Sequence, residues 1–168
     1  LGDVHLHGVD GDALRAGIAA IYQEFNLVPT LSARENIFLG QESSTFGFIR
    51  RREELRQAEA LLERVGVEID PDVPCHQLSI AQQQVVEIAK ALSLDAKIIV
   101  MDEPSAALTI QEVEHLFKII GDLKCQGIGV IYISHRLEEI FEIADDVMVL
   151  RDGEKVVEAA TTSMNRDK

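Results

Sequence analysis

Apolar positions recur along this chain in two periods, and the switches between them mark its elements. Val4 and Leu6 alternate with polar neighbours ahead of Gly8 and Asp10-Gly11, the pattern of an edge strand and a turn. The run Ile18-Ala19-Ala20-Ile21-Tyr22 reads as a short buried strand ending at Gln23-Glu24. From Ser32 the period lengthens, with Ser32 and Glu35 forming a Ser-x-x-Glu capping box ahead of Asn36, Ile37 and Leu39. Leu55, Ala58, Leu61, Leu62 and Val65 fall at three-and-four spacing, which predicts a helix over 50–65. Gly66 stops it, and Arg51, Glu53, Glu59 and Glu63 make its solvated face. Pro71 and Pro74 mark a connector, after which Ser79, boxed with Gln82, caps a second long helix through Leu94.

Past residue 96 the two periods alternate: strand 97–102, helix 111–124, strand 129–134, helix 136–144, strand 147–150. Strands and helices in that rhythm imply right-handed crossovers and a mainly parallel sheet. Asp152-Gly153 is a hairpin signal leading into 155–157, so the carboxyl end closes antiparallel. The expected architecture is α/β, with a core from residues 1–29 and 96–168 that carries a helical insert over 30–95.

Composition narrows the function. A chain of 168 residues that is 46% hydrophobic suits one well-buried domain. A net charge of -13 excludes a general nucleic-acid binder, which needs a basic footprint to neutralise phosphates. Any phosphate handled here must be held locally, by backbone amides, magnesium and a few placed side chains. Cys75 and Cys125 have neither metal-ligand spacing nor the density of a disulfide scaffold, and read as thiols of a reducing compartment. No run approaches the ~18 consecutive apolar residues of a membrane span. The amino end lacks a basic-then-apolar signal pattern. Service to a membrane would therefore run from one side, through partners. A strand-like start without Met suggests a chain cut from something longer.

The run Ile98-Ile99-Val100-Met101-Asp102-Glu103-Pro104 carries the most chemistry. A buried strand that ends in two carboxylates sets both at the carboxyl edge of a sheet, where α/β proteins build their sites and nucleotide hydrolases hold magnesium and polarise water. Taken alone, Asp-Glu-Pro also fits an ordinary helix first turn. Gln23 ends another strand, where a neutral amide can touch magnesium or a water. Ser79 caps a helix whose amides can receive a phosphate, or simply caps it. His135 follows a third strand directly, about thirty residues after Asp-Glu.

Four motifs in order, Ile21 to Glu24, Leu78 to Gln84, Ile98 to Thr109 and Ile133 to His135, resemble those of the nucleotide-binding domain of ATP-binding cassette (ABC) transporters. Leu-Ser-Ile-Ala-Gln-Gln-Gln with Asp-Glu-Pro-Ser-Ala-Ala-Leu-Thr is similar to the first cassette of tandem-cassette monosaccharide importers of the ribose, xylose and galactose type. The resemblance implies a P-loop NTPase-type sheet with a helical signature subdomain and an amino-terminal part missing. It implies ATP and Mg2+ as ligands, with Asp102 as the Walker B residue, Gln23 beside the magnesium, Glu103 as general base and His135 as the switch histidine. It also implies that Ser79 and Gln82 face the γ-phosphate of an opposing cassette. The implied partners are transmembrane permease subunits, a second cassette of the same chain and, indirectly, a sugar-binding protein, with the subunit peripheral on the cytoplasmic face of the membrane. Two departures stand out: Ile80-Ala81 replaces the usual Gly-Gly, removing backbone freedom where amides approach phosphate, and Thr109 replaces Asp. No glycine is followed by Lys-Ser or Lys-Thr, so the phosphate-binding loop does not occur in this sequence and the chain alone is expected to be inactive. Two rivals stay open: a repair or chromosome-type ATPase, which would insert long coiled coils where only about 55 residues separate Gln23 from Ser79, and a non-catalytic binding module descended from a cassette.

Overall fold

The computed structural model describes residues 11–41, 44–45, 48–49 and 51–164; the strand expected at Val4 and Leu6 and the turn at Gly8 lie outside them. The chain forms two compact units, 1–133 and 134–168.

The first unit opens with a short helix α1 (Gly11–Arg15), which the sequence pattern does not announce, and β1 (Ile18–Ile21). Helix α2 (Ala33–Ile37) begins at the expected box: Ser32 Oγ accepts the Glu35 amide at 3.2 Å, and the Glu35 carboxylate accepts the Ser32 amide at 2.8 Å. A two-residue-strand hairpin follows, β2 (Ser44–Thr45) against β3 (Phe48–Ile49), inside the stretch expected to be helical. Helix α3 (Arg51–Val65) ends at Gly66, whose φ of +80° is the left-handed geometry that glycine adopts without a Cβ penalty. Helix α4 (Ile80–Ser93) starts from Ser79 with its own box: Ser79 Oγ accepts the Gln82 amide at 3.2 Å, and Gln82 Oε1 accepts the Ser79 amide at 3.0 Å.

Strand β4 (Ile98–Asp102), helix α5 (Ile110–Cys125) and strand β5 (Gly129–Ile133) complete the unit. The sheet is parallel in the order β1-β4-β5. Ile21 lies level with Met101, and Asp102 with Ile133. Ile99 and Met101 are fully buried, as are Ile21 and Ala19, so the sheet is anchored on its central strand. Helix α4 packs against β1, α2 and α3, burying Val85, Val86, Ile88, Ala89 and Leu92.

A polar knot ties that region together. Arg34, buried on α2, meets Glu54 of α3 at 3.3 Å and Asp72 of the Pro71–Pro74 connector at 2.8 Å. Ser32 bridges Pro74 across the same connector.

The second unit holds α6 (Leu137–Ile143) and an antiparallel hairpin of β6 (Asp146–Arg151) and β7 (Glu154–Ala160). Asp152 and Gly153 both have positive φ, +52° and +80°, which makes the two-residue turn that matches strand twist. The strand expected over 147–150 thus forms, and among the described residues it pairs with β7 alone.

Candidate functional site

Strand register decides which of the expected residues meet. Because Ile21 is level with Met101, Tyr22 and Gln23 leave the sheet at the same edge, and on the adjacent strand, as Asp102 and Glu103. Adjacent strands run ~4.8 Å apart, so the segments carrying the amide and the two carboxylates start from neighbouring points of one edge. Asp102 and Glu103 are half-buried and Gln23 is exposed.

Glu103 stands in an unusual backbone. Its φ is +45°, a left-handed conformation for a residue with a full side chain. The cause is tertiary: its N–H donates to the Ile133 carbonyl at 2.9 Å, carrying the β4–β5 ladder one residue beyond the strand, while its carbonyl turns to accept the Ala106 amide at 3.1 Å. The chain then turns again, Leu108 N–H to Ser105 carbonyl at 3.1 Å, and reaches Thr109. Thr109 Oγ1 accepts the Glu112 amide and the Glu112 carboxylate accepts the Thr109 amide, a third capping box. Threonine where the related motif carries aspartate therefore performs the same local task, since either side chain can cap.

Ser79 and Gln82 sit elsewhere, at the amino end of α4, and their side chains are engaged in each other's cap. Ile80 and Ala81 have no positive φ and lie within the helix, so nothing in their backbone demands glycine; Ile80 is 43% exposed. His135 belongs to the second unit, where it is exposed. The turn that carries it is pinned by Glu139, which is buried: Ser134 Oγ donates to it at 3.2 Å and Arg136 Nη1 meets it at 2.7 Å, while the Arg136 amide donates to Ser134 Oγ at 3.0 Å.

Sequence reasoning missed Asn36. It is fully buried, and its side chain fastens the segment that follows Gln23: Oδ1 accepts the Val28 amide at 2.7 Å, and Nδ2 donates to the carbonyls of Val28, Leu31 and Ser32 and to Cys75 Sγ. The signal was an asparagine directly ahead of the apolar run Ile37-Phe38-Leu39, where a buried amide needs partners. Burial holds the Cys75 thiol above its ordinary value, so it stays protonated. A cleft of about 460 Å³ opens beside Gln23, lined by Glu24, Phe25, Leu27, Cys75 and His76 among others.

The donor set tests whether magnesium fits. Hard oxygens from Asp102, Glu103 and Gln23 at one partly solvated edge suit an ion that takes one or two carboxylates and keeps waters. Among the described residues no three His, Cys, Asp or Glu gather into a dedicated metal cage.

A parallel sheet that carries paired acids and an amide toward the carboxyl ends of its strands places them where α/β proteins bind their ligands. The chain belongs to the ABC transporter family, whose sequence profile matches residues 2–106. It is 55% identical over 146 residues to a ribose import ATP-binding protein, RbsA, of Hahella chejuensis, an alignment covering 86% of this chain and 29% of that protein. It is 51% identical over 165 residues to ribose import ATP-binding protein RbsA 3 of Rubrobacter xylanophilus, covering 98% of this chain and 33% of the other. This chain thus spans about a third of the length of the curated relatives it matches. Its fold is similar to a nucleotide-free ATP-binding cassette of an ABC transporter, with a TM-score of 0.76 at 26% identity, covering 89% of this chain and 63% of that one. It is also similar to a cassette in a dimeric post-hydrolysis state bound to ADP and Pi, with a TM-score of 0.71 at 27% identity over 91% of this chain and 68% of the other. No described helix is long and apolar enough to cross a membrane.

Proposed function

We propose that this chain is part of the ATP-hydrolysing subunit of a sugar importer of the ribose type, and that it supplies the acid edge of the site together with the helical signature region, residues 30–95. The observation that carries the reading is the shared edge: Gln23 and Asp102-Glu103 follow adjacent parallel strands in register, and the Glu103 amide carries the β4–β5 ladder one residue further through its bond to Ile133.

Asp102 is the residue assigned to hold Mg2+, through its hydration shell, with the Gln23 amide beside it. Magnesium, when bound, neutralises charge that develops on the transferred phosphoryl oxygens. The Glu103 carboxylate accepts the proton of the attacking water. The Gln23 amide can accept from or donate to that same water. Ser79 and the amides at the start of α4, with Gln82 ordering the cap, face the γ-phosphate held by an opposing cassette. We assign His135, on a turn fixed by Glu139, as the switch histidine. The partners we assign are transmembrane permease subunits, a second cassette of the same polypeptide and, through the permease, a sugar-binding protein. The acidic charge argues against nucleic acid. The subunit would lie on the cytoplasmic face of the membrane, held there by the permease.

The experiment is steady-state ATP hydrolysis by the complete transporter. Glu103→Gln is expected to lower kcat about 100-fold or more with Mg-ATP binding retained, and Gln23→Ala to lower kcat about tenfold. Unaltered hydrolysis in Glu103→Gln would remove the general base from the account and favour a binding module without catalysis.

A further inference from the structure

The residues on both sides of His135 are tied to one carboxylate. Ser134 Oγ donates to Glu139 Oε2 at 3.2 Å. Arg136 Nη1 lies 2.7 Å from Glu139 Oε1, an ion pair without the alignment of a hydrogen bond. The Arg136 amide donates to Ser134 Oγ at 3.0 Å, which closes a ring through the two residues that flank the histidine. The three links of this ring use no imidazole atom.

The ring sits where the needs of a helix alone would have put something else. Along the seven residues of α6 the buried one is Glu139, at 5% exposure, while Leu137 is 65% exposed. A helix that only had to pack would bury the leucine and leave the charge in water. The helix start is equally costly: Arg136 stands at the N-cap and makes no side-chain cap bond, where serine, threonine, aspartate or asparagine would satisfy an amide. The hydroxyl of Ser134 is spent on Glu139 and on the Arg136 amide instead. What the buried carboxylate supplies, and an apolar residue could not, is one acceptor shared by both neighbours of His135.

We propose that Glu139 is a positioning residue for His135. Through Ser134 and Arg136 it fixes the main chain on either side of the histidine, so the ordering of this turn is completed on folding and is not repeated in each catalytic cycle. The consequence for hydrolysis rests on the role assigned to His135; the ring itself does not.

Residue-resolved amide hydrogen exchange on the 168-residue chain tests the ring, comparing wild type with Glu139→Ala, Glu139→Gln and Ser134→Ala. The Arg136 amide is expected to exchange about tenfold faster in Glu139→Ala and in Ser134→Ala, and to recover in part in Glu139→Gln, whose amide oxygen still accepts from Ser134, while the amides of the β6–β7 hairpin stay unchanged. Ser134→Ala removes a single hydroxyl and decides the matter if Glu139→Ala fails to fold. Unchanged Arg136 exchange overturns the ring, and so does equal acceleration of Arg136 and the hairpin, which marks a merely structural glutamate. A double-mutant cycle on ATP hydrolysis by the complete transporter tests the positioning role. Ser134→Ala and Glu139→Ala are each expected to lower kcat several-fold at constant KM for ATP, and to lower it no further when His135→Ala is already present. Losses that multiply with that of His135→Ala overturn the proposal, and so does a normal kcat in both variants where His135→Ala is slow. A normal kcat in His135→Ala overturns the role of His135 and leaves exchange to judge the ring.

Discussion

Glu103 joins two facts that sequence reading keeps apart. Its identity as the second acid after an apolar strand was legible, because Ile98 to Met101 is an apolar run that stops at Asp102, with Ile99 and Met101 buried. Its left-handed backbone was not, because positive φ is signalled in sequence by glycine or asparagine, and here a long-range bond to Ile133 imposes it on a glutamate. Such a conformation costs about 1–2 kcal/mol in an L-residue. Glu103→Gly is therefore expected to leave the fold as stable as wild type or more stable by up to about 1 kcal/mol, glycine's chain entropy offsetting part of the relief. A thermal or urea melt of the variant reads it, and a clear loss of stability would mean the backbone there is not strained. Asn36 escaped the sequence for a related reason: a buried polar residue is recognisable only by its partners, and the amide and carbonyl of Val28 are loop groups that no periodicity announces.

At the level of elements, local chemistry was the reliable guide. The Ser32–Glu35 and Ser79–Gln82 boxes were visible as spacings and are present as paired hydrogen bonds. The Thr109–Glu112 box begins α5 by the same rule. What spacing could not reveal were pieces too short to show a period, α1 and the β2–β3 hairpin, and the Arg34 knot, whose partners lie 20 and 38 residues away. The boxes carry a pH signature. The Ser32 backbone and side chain hold Glu35 below its usual 4.5, and the Thr109 groups do the same for Glu112. A carboxylate with a depressed folded value contributes stability that is complete above 4.5 and disappears as pH falls through that folded value. Glu87 runs the other way: burial raises it above 4.5, so its contribution is complete below 4.5 and lost as pH rises through the raised value. Replacing both Glu35 and Glu112 with Gln is expected to flatten the acid limb of a stability profile measured by urea midpoints from about pH 3 to 6, without adding slope at higher pH. An acid limb as steep as wild type's would show that the boxes do not carry this linkage.

For the molecule as a whole, the alternation of strands and helices after residue 96 was enough to expect a parallel sheet, and β1, β4 and β5 form one. Alternation fixes that a strand exists but not what it pairs with; for β6 the Asp152-Gly153 hairpin signal supplied that partner, and among the described residues β6 pairs with β7 alone. Ile131 and Ile133 of β5 are 52% and 47% exposed, unusual for a strand of a parallel sheet, whose faces are normally covered. The chain matches about a third of the length of its curated relatives and contains Asp102-Glu103, Gln23 and the helix capped by Ser79, but no Gly-x-x-x-x-Gly-Lys-Ser/Thr loop to cradle phosphates. The central claim is that these groups act on a nucleotide only when such a cradle is joined to them. Calorimetric titration of Mg-ATP into the 168-residue chain, beside a version extended at its amino end by a strand and loop of that pattern, tests it most directly. Saturable binding by the extended chain alone is the predicted result; binding by the 168-residue chain itself, or by neither, would contradict it.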